Sequence, residues 1–149
     1  MNSILIQQID MQHPLYQEER ELRNRVLLRP YNLPDYGWEM KDPMAWHFLA
    51  IDEGRVIGCV LLAPLNEEKT RVQLMQMAVD DSWQGNGIGK SLVNSIKEFA
   101  AQKGISWIKC HARENAINFY KRQGFVVYGE EFEEVGIKHR YMYWELVKE

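Results

Sequence analysis

A junction between a predicted strand and a predicted helix, residues 79–92, constrains the fold of this chain more than any other segment. Gly85, Gly87 and Gly89 stand there at alternate positions, and apolar side chains recur at helical spacing directly afterwards. Without Cβ atoms, these residues leave the backbone N–H groups at the helix start open to close approach. Such a junction can bind an anion through unpaired amides and the positive end of the helix dipole.

Three nucleotide- or cofactor-binding patterns were compared with this junction. A Walker A loop needs a glycine five residues before the Gly89–Lys90 pair, and Gln84 holds that position. The dinucleotide pattern G-x-G-x-x-G fails as well, because neither Gly85 nor Gly87 begins a complete match. The pattern Gln-x-x-Gly-x-Gly is matched in full by Gln84, Gly87 and Gly89. Glycines that serve only a tight turn remain the alternative interpretation.

The other segments predict alternating strands and helices. Strands are expected at 3–9, 46–51, 56–62, 71–79, 106–111, 125–128 and 140–147, and helices at 14–29, 87–103 and 116–121. The first helix is expected to end before Pro30, because a residue that precedes proline avoids the helical region. Since a strand–helix–strand unit makes its two strands parallel, this order predicts an α/β fold with a mixed sheet and helices on both faces.

Composition excludes several classes of protein. The chain has 149 residues, the size of one domain, which we place at 1–149. Its 18 basic and 21 acidic side chains give a net charge of −3, which argues against electrostatic binding of nucleic acid. Two cysteines without metal-ligand spacing argue against a disulfide framework or a metal site. No leader pattern and no apolar run of about 20 residues is found, so we expect a cytoplasmic protein that does not bind membranes.

Two signatures in this chain resemble those of the GNAT superfamily of N-acetyltransferases. The first is the strand, Gln-x-x-Gly-x-Gly turn and helix around 84–89. The second is the segment 112–125, in which Ala116 and Tyr120 precede a closing Gly124–Phe125 pair. The tail 132–139, with Gly-Ile-x-His before the last strand, is similar to the ElaA-like branch. The resemblance implies a mostly antiparallel mixed sheet of about six to seven strands.

The resemblance also implies where acetyl-coenzyme A, the expected cosubstrate, binds. Backbone groups of Met77, Ala78 and Val79 are expected to pair with the pantetheine arm. The pyrophosphate is expected on the N–H groups of Gln84, Gly85, Asn86, Gly87, Ile88, Gly89 and Lys90. Arg113, Asn118 and Tyr120 complete the expected cofactor contacts. Arg113 departs from many relatives, which have an asparagine at that position, so this arginine could reach a phosphate or the substrate instead.

Tyr120 matches the general acid of the superfamily, which protonates the departing thiolate. A core aromatic residue on a short helix is the alternative. The general base is less determined: the candidates are His139, Glu133, Glu134, His111 and, through a water, Gln76. His139 leads among them, because relatives in the ElaA-like branch keep that turn near the acceptor. His47, on an apolar strand, is interpreted as a packing residue.

The aromatic loop 31–40 is the expected wall of the acceptor site, although a hydrophobic cover over the sheet edge is equally compatible. Asp35, Glu39 and Asp42 would suit a cationic amine. The resemblance implies direct acetyl transfer from acetyl-coenzyme A to a primary amine, either a small molecule or a peptide. Cys59 and Cys110 lie in apolar strands and are interpreted as packing thiols. The late strands are compatible with a homodimer, but no pattern requires one.

Two other functions compete with this one. The same fold could hold coenzyme A as a sensor or interaction module without turnover. Gly89-Lys90-Ser91 also suggests, more weakly, a nucleotide phosphotransferase.

Overall fold

A single seven-stranded sheet organises the computed structural model, which describes residues 4–146. The strands are β1 (Leu5–Ile9), β2 (Trp46–Asp52), β3 (Arg55–Pro64), β4 (Arg71–Val79), β5 (Trp107–Arg113), β6 (Val126–Glu134) and β7 (Ile137–Glu145). Their spatial order is β1-β2-β3-β4-β5-β7-β6, and β4–β5 is the parallel pair in an otherwise antiparallel sheet. The mixed, mostly antiparallel sheet of six to seven strands is thus confirmed. The first residue of the predicted first strand and the last of the predicted final strand lie outside the described residues.

The parallel rule for strand–helix–strand units holds at one place and is wrong at another. β4 and β5, joined by a helix, are parallel. β1 and β2 also flank a helix, yet they pair antiparallel, with Leu5 opposite Ile51 and Ile9 opposite His47. The physical reason is the long connection over 24–45, which returns the chain to the end of the sheet where β1 finishes, so that β2 starts opposite Ile9.

Three α-helices accompany the sheet: α1 (Tyr16–Arg23), α2 (Ile88–Lys103) and α3 (Ile117–Arg122). The first helix ends before Pro30, as predicted, although α1 itself already ends at Arg23. After α1 the chain continues through a π-helical turn, Asn24–Leu28, into a 3₁₀ turn, Arg29–Tyr31, that contains Pro30. Proline is tolerated there because it occupies the start of the new turn, where its missing N–H costs no helical hydrogen bond.

The two last strands are longer than the sequence suggested. β6 was predicted at 125–128 and extends to Glu134, and β7 begins at Ile137 rather than at 140. The segment predicted as a turn is therefore mostly strand, and the turn itself is Val135–Gly136, both with positive φ. Two consecutive pairs of glutamates on exposed β6, residues 130–131 and 133–134, obscured the strand pattern. His139 consequently lies on β7, opposite Phe132 and Arg113.

Each face of the sheet packs against a helix through its own apolar cluster. On one face, α2 packs through Leu92, Val93 and Ile96 against β2–β5 and β7. The approach is close, because a Cβ at Gly58 of β3 would lie 2.9 Å from Ile88 Cγ2. On the other face, α1 packs through Leu22 against β1–β4. Helices on both faces were predicted and are confirmed.

A buried cluster of charges lies beneath α1 and holds it to β2. The Arg23 guanidinium pairs with Glu19 at 2.7 Å and with Asp42 at 2.9 and 3.0 Å, and the Tyr16 hydroxyl donates to Asp42 at 2.6 Å. His47 Nε2 donates to the carbonyl of Asp42 at 2.9 Å, and Nδ1 faces the Glu19 carboxylate at 3.0 Å. Because both partners are acceptors, the ring donates from both nitrogens and carries a positive charge. His47 is thus a member of a polar network rather than the apolar packing residue that was predicted.

This cluster predicts a stability that depends on pH. Burial is the largest single influence and opposes the charged form of His47, but the hydrogen bonds and negative charges of Glu19 and Asp42 together outweigh it and raise the pKa of the ring. Arg23, Asp42, Tyr16 and Glu19 are the charged and titratable groups around it. A raised folded-state pKa means that the stabilisation is complete below about 6.5, the pKa of an unfolded histidine, and is lost as the pH rises through the folded value.

We therefore expect the free energy of unfolding to fall as the pH rises above about 6.5, with a slope of at most about 1.4 kcal/mol per pH unit from this group. Urea unfolding at a series of pH values measures the slope, and H47Q should remove this contribution. Equal slopes in the wild type and in the variant would contradict the prediction.

Candidate functional site

The site begins where β4 and β5 separate. The two strands pair from Arg71–Trp107 to Leu74–Cys110, yet β4 continues to Val79 and β5 to Arg113. Beyond that point β4 carries an irregularity against β3, and Gln76 has a φ of 56°. The splayed strands leave peptide groups of β4 facing a gap instead of a neighbouring strand, and such groups need polar partners.

A cavity of about 890 Å³ occupies this gap. Its wall combines the second half of β4, the glycine turn, α3, the ends of β5–β7 and the loop after α1. A cavity of this size can hold an extended ligand of several hundred daltons.

The glycine turn forms one end of the cavity. Gly85 and Gly87 have φ values of 81° and 77°, and a Cβ at either would meet nothing within 4 Å, so their role is conformational. Within residues 4–146, no hydrogen-bond acceptor faces the N–H groups of Gly85, Gly87, Ile88, Gly89 and Lys90. Unpaired amides at the N-terminus of a 16-residue helix can hold a phosphate group.

Most of the predicted cofactor residues line the cavity. They are Met77, Ala78, Val79, Gln84, Gly85, Gly87, Ile88, Gly89, Lys90, Arg113 and Tyr120. Asn86 and Asn118 are exposed and do not line it. The N–H of Asn86 donates instead to Trp83 O at 3.3 Å, and its side chain also bonds to the turn. The expected donation from Asn86 therefore has no support from its position, and neither has the contact of Asn118.

Gly89 fixes α3 against α2. A Cβ at Gly89 would lie 3.0 Å from Phe119 Cζ, so the ring of Phe119 occupies the space that a side chain would fill. The next residue, Tyr120, is 5% exposed, packs edge-on against Phe119 and Phe125, and lines the cavity. Tyr120 is thus a core residue that also forms part of the cavity wall. Burial, with a smaller contribution from Cys110, raises the pKa of its phenol well above the usual value.

Four of the five candidate bases line the cavity: His139, His111, Glu134 and Gln76. Glu133 is exposed and does not. Gln76 Nε2 donates to Trp38 O at 3.0 Å, which ties the aromatic loop to β4.

His139 is oriented by its own strand. Its Nδ1 donates to Ile137 O at 2.7 Å, and its ring stacks on Phe132 at a centroid distance of 5.5 Å. Because Nδ1 carries the proton, Nε2 holds the lone pair. Among the described residues, Nε2 has no hydrogen-bond partner. It is also not fully enclosed by protein, so a ligand can reach it. His139 is 3% exposed overall and lines the cavity.

His111 differs from His139 in its surroundings. Its Nδ1 faces Glu134 at 3.1 Å, and its Nε2 is buried without a partner among residues 4–146. Burial lowers the pKa of His111, and the hydrogen bond with Glu134 offsets this only in part. The cavity wall thus contains a second imidazole, that of His111.

The aromatic loop contributes Tyr31, Trp38 and Met40 to the wall, as predicted. The prediction that its acidic residues suit a cationic amine is wrong. Asp35 pairs with Arg29 at 2.6 Å, Glu39 with Arg20 at 2.8 Å and Asp42 with Arg23, and none of the three acids lines the cavity. Each carboxylate is already neutralised by an arginine of the same region.

Several lining residues were not predicted from the sequence. They include Val26, Leu27, Lys41, Gln73, Trp83, Asn115 and Arg122. Nothing in their local pattern points to a ligand, because they meet only after the chain has folded. Cys59 and Cys110 are buried, as predicted, and burial raises the pKa of both thiols, that of Cys110 to about 12.

Two features of the described residues bear on other classes of protein. No helix in the range 4–146 combines the length and apolar character of a membrane span. Over the same range, no three His, Cys, Asp or Glu side chains are grouped as metal ligands.

Comparison with known proteins identifies relatives of the chain. Residues 10–125 match the model of the acetyltransferase (GNAT) family. An N-acetylaspartate synthetase from Xenopus tropicalis is 41% identical over 61 residues, which are 41% of this chain and 22% of that protein. The chain spans less than half the length of the curated relatives it matches.

Solved structures with the same fold cover nearly the whole chain. Escherichia coli ElaA superposes with a TM-score of 0.84 at 20% identity, over 95% of this chain and 99% of that one. An aminoglycoside 6'-N-acetyltransferase in complex with coenzyme A gives 0.81 at 18% identity, over 97% and 98%. At these identities the likeness establishes the fold, while the family model covers most of the sequence. The chain therefore belongs to the GNAT family of acetyltransferases.

Proposed function

We propose that this protein transfers the acetyl group of acetyl-coenzyme A directly to a primary amine. The observation that carries the proposal is a single cavity that joins a splayed strand, a helix N-terminus with five unpaired amides, a tyrosine and an open imidazole. The coenzyme A found in a structure of the same fold supports it.

The donor end of the cavity suits a long, polar, phosphorylated ligand. The segment Met77–Val79 has β3 on one side but no neighbouring strand on the other, and peptide groups on that open side match the amides of a pantetheine arm. The amides of the glycine turn match a pyrophosphate, and Lys90 and Arg122 add positive charge to the wall.

When bound, acetyl-coenzyme A supplies an activated thioester carbonyl. Residues of the chain accept and donate the protons. In this proposal His139 Nε2 takes the proton that the amine loses when its nitrogen bonds to the acetyl carbon. The Tyr120 hydroxyl gives its proton to the sulfur as the carbon–sulfur bond breaks. The phenol is protonated at neutral pH, and the burial that raises its pKa also disfavours a free thiolate.

One experiment tests the function against its rivals. We expect coenzyme A to raise the melting temperature and acetyl-coenzyme A with a panel of primary amines to release free thiol. Thermal stabilisation by coenzyme A without thiol release on a broad panel would favour a binding module instead. Stabilisation by ATP–magnesium but not by coenzyme A would revive a phosphotransferase.

A further inference from the structure

The charges around the acceptor end of the cavity are distributed unevenly. The region of α1 and the aromatic loop contains four arginines with carboxylate partners: Arg20, Arg23, Arg25 and Arg29. Arg113 lies against the same region, yet no carboxylate of residues 4–146 stands within 4.0 Å of it. It is a cation whose counter-charge the described chain does not supply.

Arg113 is held in place by groups that leave its charge unneutralised. Its guanidinium carbon lies 4.3 Å from the ring centroid of Tyr31 and 5.8 Å from that of Trp38. One nitrogen, Nη2, donates to Leu27 O at 3.0 Å. Nε and Nη1 have no partner in residues 4–146 and are not enclosed there, so their donors are open to a ligand. A partly buried guanidinium with open donors matches a carboxylate in charge and geometry.

The position of Arg113 favours the acceptor over the cofactor. Cys110 and Ala112 of β5 point into the cluster formed with α2, so Arg113 and His111, at alternate positions, project from the opposite face. The glycine turn begins α2, whereas Arg113 contacts the aromatic loop and Leu27. Arg113 is also the cross-strand partner of His139, the proposed base.

From this arrangement we infer that the acceptor is a primary amine that also carries a carboxylate, and that Arg113 binds that carboxylate. The inference rests on the proposed function. Pairing across β5 and β7 brings the anion site and the base close together, as a small amino acid requires. Lys41 adds a second cation to this part of the wall, and the acidic residues of the loop offer no competing charge.

The test compares amines that differ only in the anionic group. L-phenylalanine, L-methionine and L-glutamate are each assayed beside the corresponding α-amide, with thiol release from acetyl-coenzyme A as the readout. The α-ammonium group of each amide loses its proton more readily than that of the corresponding acid. Amine reactivity alone would therefore favour the amides, which is opposite to the expected result. We expect kcat/KM to be at least about tenfold higher for the best acid than for its amide.

The variant R113Q should lower kcat/KM for the acid by about tenfold or more, and change that for the amide by less than about twofold. R113K should retain part of the preference for the acid, since lysine keeps the positive charge but lacks the bidentate donors of the guanidinium. R55Q, at an exposed arginine of the β2–β3 hairpin, serves as the control and should leave both values unchanged. Equal losses for acid and amide together with a raised KM for acetyl-coenzyme A would overturn the inference and make Arg113 a cofactor contact.

Two measurements keep the inference separate from the proposed function and from misfolding. The preference of the wild-type enzyme for acids over amides needs no variant, and a preference for the amides overturns the inference even though acetyl transfer stands. If no amine is turned over, the acetyl transfer proposal fails. The acids should then still raise the melting temperature of the coenzyme A-bound protein more than their amides do, and equal shifts would overturn the carboxylate site.

Discussion

Replacing Tyr120 with phenylalanine is expected to slow turnover at least tenfold while the affinity for coenzyme A stays nearly unchanged. The ring fills the same space against Phe119 and Phe125, so the cavity wall persists and only the proton donor is lost. Without that donor, the thiolate must leave unprotonated from apolar surroundings. Steady-state kinetics and calorimetric titration with coenzyme A measure the two quantities.

Y128F is the matched control for this change. Tyr128 is a tyrosine of β6 that does not line the cavity, so its variant should keep wild-type turnover. An unchanged rate in Y120F would remove Tyr120 from the role of acid. A large loss of coenzyme A affinity in Y120F would make it a binding residue instead.

Replacing His139 with glutamine is expected to lower kcat at neutral pH by about 100-fold. Glutamine can still donate to Ile137 O, so the local strand is preserved, but it offers no basic lone pair to the amine. The deficit should shrink as the pH is raised, because the free amine then loses its proton to solvent. A pH–rate profile of the wild type and of H139Q measures both effects.

The neighbouring imidazole provides the comparison for that experiment. Buried Nε2 and the bond to Glu134 make His111 the alternative base. If H111Q loses the activity and H139Q keeps it, the assignment of the base to His139 is wrong. Loss of activity at every pH in both H111Q and H139Q would likewise contradict a proton-transfer role specific to His139.

Local patterns predicted the elements that carry the site. The glycine turn and the apolar spacing after it predicted α2 from its first residue, because φ preferences and helical periodicity act over a few residues. The alternation on β5 is regular for the same reason. The late hairpin was underestimated, since exposed charges on β6 disguise a strand that tertiary pairing with β7 enforces.

Charge partners could not be predicted from composition. Asp35 and Glu39 resemble recognition residues in the sequence, yet each faces an arginine in the folded protein. His47 likewise resembles a packing residue until Glu19 and Asp42 meet its two nitrogens. The pairs Arg20–Glu39 and His47–Glu19 join residues 19 and 28 positions apart, so they depend on how α1 and the loop pack on the sheet, which no local rule encodes.

The amino-acid sequence by itself determined the backbone chemistry of the glycine turn, the sheet-forming segments and the position of Tyr120 after β5, because these follow from residue type and spacing. Only the tertiary structure decided that β4 and β5 part after Leu74–Cys110 and that the acids of the loop are neutralised. It also decided that Arg113, opposite His139, has no carboxylate partner among residues 4–146. The physical reason is that strand separation and charge pairing are set by contacts between distant segments, whose free energies add up only once the sheet and both helix layers are assembled.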